Sequence, residues 1–147
     1  MEIKLVIPGP PMGKQVAKVF PIRGKGGKVL FRRGVTPAKT ANAMAVIRLT
    51  FAAAYPNFTP ITGPVELTLR AFFPIPKSTP RRMLPAMEAE TVFYAHRPDW
   101  TNLAKLAEDS LTGAAWKDDA LVVKIGGESG KWYSTRPRLE IIIRTLD

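Results

Sequence analysis

The hydrophobic positions of this chain fall into two kinds of pattern, and their order predicts the architecture. Ile3 to Ile7 is a short β-branched run closed by Pro8-Gly9-Pro10-Pro11, which reads as a first strand. Residues 16–20 and 28–31 read as a hairpin whose loop, Ile22 to Gly27, is glycine-rich and basic. Thr36-Pro37 supplies a cap and a first helical proline. A helix is expected from 38 to 54, with Ala41, Met44, Ala45, Ile47 or Arg48, Leu49 and Ala52 giving a loose 3.6-residue period. Val65 to Phe73 alternates cleanly, apolar against Glu66, Thr68 and Arg70, as a half-buried strand does.

Pro74 to Pro85 holds four prolines and reads as a loop, with a short helical turn running up to Glu90. Val92 to Ala95 is expected to be extended. Leu103, Leu106, Ala107 and Leu111 form the apolar stripe of a second helix over 100–111, and Gly113 stands where it should stop. Leu121–Ile125 and Arg138–Arg144 are the closing strands, joined by a loop over 126–130. The order β, β-hairpin, α, β, α, β, β predicts one α+β domain over residues 1–147, a mixed sheet with two helices.

Composition narrows the chemistry. Cysteine is absent and His96 is the single histidine, so thiol nucleophiles, disulfides and multi-histidine metal sites are excluded. Any metal held by side chains sits on carboxylates, which favours Mg²⁺ or Mn²⁺. No apolar run approaches a membrane span, and the N-terminus lacks the layout of a signal peptide. The net charge of +10 is uneven: residues 1–60 hold ten Lys/Arg against Glu2 alone, whereas residues 61–147 hold twelve against eleven acids. Such a basic half suits a polyanion, nucleic acid before membrane. The basic loop over 22–27 lacks the Gly-Lys-Ser/Thr ending of a nucleotide-binding loop, so it reads as a hairpin tip that touches DNA.

Six of the twelve acids lie between Asp99 and Glu128. Asn102, Lys105 and Asp109 share one face of the second helix, which Asp99 precedes. A turn at Gly113 can return Asp118 and Asp119 toward that helix. Carboxylates beside a lysine in a basic protein suit phosphodiester cleavage, in which they hold Mg²⁺ and basic groups bind the flanking backbone. The same residues also allow a plainer reading: Asp99 as a helix cap, Lys105 and Asp109 as an exposed pair, Asp118-Asp119 as an ordinary turn. Trp100 and Trp116 flank the acids and read as core aromatics, with stacking on an unpaired base the alternative for Trp100; Phe72 and Phe73 read as structural, or one of them as outward-facing.

His96 to Gly113, followed by Ala115 to Val122, resembles the RusA family of Holliday-junction resolvases. The family pattern is a basic residue and Pro-Asp-x-Asp-Asn-Leu-x-Lys, then a helix, then Trp/Tyr-x-Asp-Asp. The Pro-Pro-x-Gly-Lys segment (Pro10 to Lys14) and Thr-Pro-x-Lys-Thr (Thr36 to Thr40) add to the match. The resemblance implies Asp99 and Asp119 as catalytic metal ligands, with Asp118 and Asp109 as further ligands and Lys105 as the catalytic lysine. It also implies Mg²⁺ (or Mn²⁺) as cofactor, a cytoplasmic homodimer, branched DNA as the partner, and paired nicks in strands of like polarity. The expected DNA contacts are Lys14, Lys18, Arg23, Lys25, Lys28, Arg32, Arg33, Arg81, Arg82 and Arg97. Thr101 departs from the pattern, because the family's second aspartate falls there. A junction-binding protein with weak or no catalysis is therefore the competing expectation.

Overall fold

The computed structural model describes residues 1–15 and 18–147, and of Lys18 and Val35 the backbone alone. Four elements form the centre of the main sheet: β1 (Glu2–Pro8), β4 (Val65–Pro74), β5 (Val122–Ile125) and β7 (Arg138–Thr145), in the order β1-β7-β4-β5. β7 runs antiparallel to both of its neighbours. β5 and a further strand, β6 (Gly130–Ser134), pair in parallel with successive stretches of β4. The hairpin strands β2 (Lys18–Arg23) and β3 (Val29–Val35) form a separate two-stranded sheet. The helices are α1 (Ala38–Ala54), a five-residue α2 (Leu84–Glu88) and α3 (Trp100–Leu111). The α+β architecture with a mixed sheet is present.

One sheet face carries the core. Ile3, Leu5 and Ile7 of β1, Leu139, Ile141 and Ile143 of β7, and Val65, Leu67, Leu69, Ala71 and Phe73 of β4 cluster with side chains of α1 and α3. α3 contributes Leu103, Leu106, Ala107 and Leu111, the stripe its sequence predicts. Each buried leucine contributes about 2 kcal/mol, so the helix is pinned by its apolar side and its polar side is fixed in orientation. α1 spans the expected residues, but the face it buries is Thr40, Ile47 and Phe51, and Leu49 is exposed. Pro37 sits at its cap position with no side-chain bond, so Thr36 does not cap the helix.

Three further sequence expectations change. β4 is buried on both faces, not half-buried, because its polar face is closed by charge pairing. Glu66 meets Lys124 at 3.0 Å and Arg144 at 3.1 Å, while Arg70 and Arg138 reach Glu140 at 3.3 and 2.9 Å. Phe72 lies beneath the Arg138 guanidinium (3.9 Å from ring centroid) and stacks on Trp132. β6 begins at Gly130, the last residue of the expected loop, and occupies a stretch to Ser134 that the sequence leaves without a strand. The hairpin strands run further toward Arg23 and Val35 than expected, and the expected start at 16–17 lies outside the described residues. No helix among the described residues is long and apolar enough to cross a membrane.

Candidate functional site

A groove runs along the polar side of α3, built from two adjoining cavities. The first, of about 530 Å³, is lined by Pro11 to Gln15, Arg97, Pro98, Asp99 and Asn102. The second, of about 490 Å³, is lined by Lys14, Gln15, Asn102, Lys105, Glu108, Asp109 and Asp119. Lys14, Gln15 and Asn102 belong to both, so the cavities are two parts of one surface.

The segment Pro11–Gln15 crosses the start of α3 as a strap. Its Lys14 amide donates to the Asn102 carbonyl (2.9 Å), and its Gln15 amide donates to the Thr40 hydroxyl on α1 (3.1 Å). The approach is so close that a Cβ on Gly13 would lie 2.7 Å from the Pro98 Cβ and 3.1 Å from that of Asn102. Only glycine fits there. The Lys14 ammonium pairs with the Asp109 carboxylate. Lys14, expected as a DNA contact, is thus committed to a groove acid in this structure.

Asp99 is placed by the loop before it. Tyr94 stacks on Phe73 with ring centroids 3.8 Å apart and donates its hydroxyl to the Arg97 carbonyl (2.8 Å). Burial pushes the Tyr94 phenol up, so it remains a donor well above neutral pH. Lys131 on β6 donates to the His96 and Pro98 carbonyls at 2.7 and 2.9 Å. Asp99 stands at the N-cap position of α3, yet its carboxylate makes no capping bond and lines the first cavity. The helix-cap reading of Asp99 therefore does not describe its side chain.

Asp119 is returned to α3 by a turn anchored on Trp116. Gly113 adopts φ +88°, a conformation that favours glycine, and its amide donates to the Trp116 carbonyl (2.7 Å). The Trp116 ring is fully buried, and its indole N–H donates to the Thr112 hydroxyl (3.0 Å). Asp119 then lines the second cavity together with Lys105 and Glu108. Asp118 does something else: its carboxylate accepts from the Ala120 amide at 2.8 Å and caps the 3₁₀ turn Asp119–Leu121. That bond, helped by the Asp119 side chain, holds Asp118 below the ordinary carboxylate range.

Glu108 and Gln15 complete the groove; helical spacing ranks Glu108 behind Asp109 and gives Gln15 no weight. Glu108 is half-buried; burial pushes its carboxyl up, and the charges of Asp109 and Asp119 push in the same direction. The polar donors facing this part of the groove are carboxylate and amide oxygens, hard ligands of the kind Mg²⁺ and Mn²⁺ take. Among the described residues no three acids converge closely enough to enclose an ion unaided. Such a set would hold a hard cation only together with water or substrate oxygens. Arg48 on α1 donates to the Ser110 and Asp109 carbonyls (3.0 and 3.1 Å), closing the C-terminal end of α3 beneath these acids.

Thr101 is exposed on the first turn of α3 and lines neither cavity. Arg97 lines the first cavity. Arg23, Lys25, Lys28, Arg32 and Arg33 are exposed on the hairpin and its tip, and the Lys18 side chain lies outside the described residues. Arg81 and Arg82 are exposed on the turn Arg81–Met83 before α2 and line neither cavity.

A family model described as Endodeoxyribonuclease RusA matches residues 8–144. The chain is also similar to the uncharacterized protein YqaN of Bacillus subtilis (strain 168), with 34% identity over 138 residues, which covers 91% of this chain and 92% of that protein.

Proposed function

This chain belongs to the RusA endodeoxyribonuclease family, and from that membership and the α3 groove we propose that it is an Mg²⁺-dependent endonuclease that nicks branched DNA, the Holliday junction above all. The observation that carries the proposal is the arrangement of Asp99, Lys105, Glu108, Asp109 and Asp119 along one groove on the polar side of α3. Asp119 and Asp99 are the ligands we assign first, with Asp109 and Glu108 next to them. Asp118 is a weaker candidate because its carboxylate already caps a backbone amide. When bound, a divalent cation would offset the negative charge of the scissile phosphate and activate water.

The chain's own residues do the rest. Lys105, exposed at the groove wall, offsets charge on the phosphate. Asn102 and Gln15 offer amides to orient its oxygens. Lys14 holds Asp109 in place. Arg97 at one end and the basic hairpin bind flanking backbone through phosphate contacts. Two such grooves in a homodimer, in the cytoplasm of a bacterial or phage-infected cell, would cut the two like strands of one junction.

A second reading, a junction binder with little catalysis, is favoured by Thr101, which brings no carboxylate to the pattern, and by the Lys14–Asp109 pair. Asp119→Asn separates the two. The enzyme reading expects nicking of a synthetic four-way junction to fall by about 100-fold or more, with junction affinity equal or higher as a repelling charge is lost. Undiminished nicking by the variant removes Asp119 from the site.

A further inference from the structure

The β2–β3 hairpin carries a second pattern besides its charge. Phe20 pairs across the strands with Arg33, and Ile22 pairs with Phe31. Directly paired residues share a face, so Phe20 and Phe31 are diagonal neighbours on one side of the ribbon with Arg33 beside them. Phe20 is 49% and Phe31 58% exposed, and among the described residues nothing in the hairpin is buried. Neither ring meets another aromatic ring among the described residues, although eight other aromatic pairs hold the rest of the molecule. Two bare rings on a two-stranded ribbon contribute nothing to this chain's core. They are placed to meet something else.

Charge identifies what that is. Arg23, Lys25, Lys28, Arg32 and Arg33 crowd the same ribbon, and no acid occurs anywhere between Glu2 and Glu66. A second copy's hairpin would set like charges face to face with no acid to pair them. A polyanion that also offers flat apolar faces satisfies both the arginines and the rings, and nucleic acid bases have such faces. Chain connectivity points the same way: Lys18 follows Gln15, which lines the groove, within about 11 Å of backbone. DNA lying in the groove is the polyanion within the hairpin's reach.

In linear duplex each base is covered on both faces, whereas a junction held open leaves the base pairs at its branch point uncovered on one face. We propose that Phe20 and Phe31 stack on bases exposed at the branch point of junction DNA, with Arg33 on an adjacent phosphate, and that this contact selects branched over linear DNA. The proposal rests on the nuclease reading only for the presence of DNA in the groove.

The test is the double variant Phe20→Ala/Phe31→Ala of the full chain, with a four-way junction carrying 2-aminopurine at the branch point. The wild type is expected to change the probe's fluorescence there and not in a duplex arm. The double variant should lose that signal and about tenfold of the preference for junction over linear duplex, at unchanged thermal midpoint. Duplex affinity and its salt slope should hold, because the basic residues remain. Phe31→Trp alone should keep both signal and preference. The proposal is overturned if the double variant retains the signal and the preference. It is equally overturned if sedimentation shows that the double variant has lost self-association instead, which would make the rings a subunit contact. Nicking of the same junction is read separately. A wild type that gives the signal without nicking keeps the stacking contact and removes the nuclease reading, while nicking by both proteins with an unchanged signal removes only the stacking.

Discussion

Lys105 and Lys14 are both lysines of one groove, and their surroundings give them different work. Lys14 is tied to Asp109 and held from behind by a backbone bond to Asn102. Lys105 stands on the second cavity's wall with its side chain exposed. A charge that is not spent on a protein partner is available to a phosphate whose negative charge grows during cleavage. Lys105→Met should therefore lower the single-turnover nicking rate by about 100-fold while junction affinity changes by no more than about threefold. Equal losses in rate and affinity would make Lys105 a binding residue. At this scale the sequence is informative where chemistry follows helical spacing: Asn102, Lys105 and Asp109 do share a face. Gln15 is not legible in it, because the strap that brings Gln15 over α3 joins distant segments and depends on the missing Cβ of Gly13.

The elements follow the same logic. α3 is readable because one stripe of four apolar residues fixes its orientation, and the groove is simply its other side. β6 is not readable: Trp132 and Tyr133 follow a glycine-rich loop without alternation, and their strand partner, Arg70 to Pro74, lies some sixty residues earlier. The polar face of β4 likewise reads as solvent-exposed because its cover, Lys124, Arg138 and Arg144, comes from the far end of the chain. The hairpin is expected from its glycine-rich loop, and its arginines are exposed as that reading requires. Charge reversal at Arg32 and Arg33 together should weaken binding to junction and duplex alike. It should also reduce the slope of log affinity against log salt by about two, one for each phosphate no longer neutralised. An unchanged slope in a titration from low to physiological salt would mean that this ribbon faces away from DNA.

Across the whole molecule, charge is sorted by place. Residues 1–60 carry ten cations against one acid, acids gather at the groove, and a third set is locked into the back of the sheet. There Arg138 bonds Glu90 at 2.7 Å and Glu140 at 2.9 Å, and the Arg138 guanidinium holds Glu90 below its ordinary value of 4.5. A carboxyl lowered in the folded state stabilises it above pH 4.5, and that contribution is lost as pH falls through the lowered value. Glu90→Gln should thus lower the thermal midpoint by about 2–5 °C at pH 7, with the gap from wild type closing toward pH 3. A gap independent of pH would assign the loss to packing instead.

Cleavage of branched DNA in the α3 groove, with the help of a divalent cation, can be measured outright. The wild-type chain is incubated with a synthetic four-way junction and with linear duplex of the same sequence, with Mg²⁺ and with EDTA in its place. Paired nicks in the junction that require Mg²⁺, with little cutting of the duplex, are the expected result. Nicking that persists in EDTA, or equal cutting of both substrates, would contradict it.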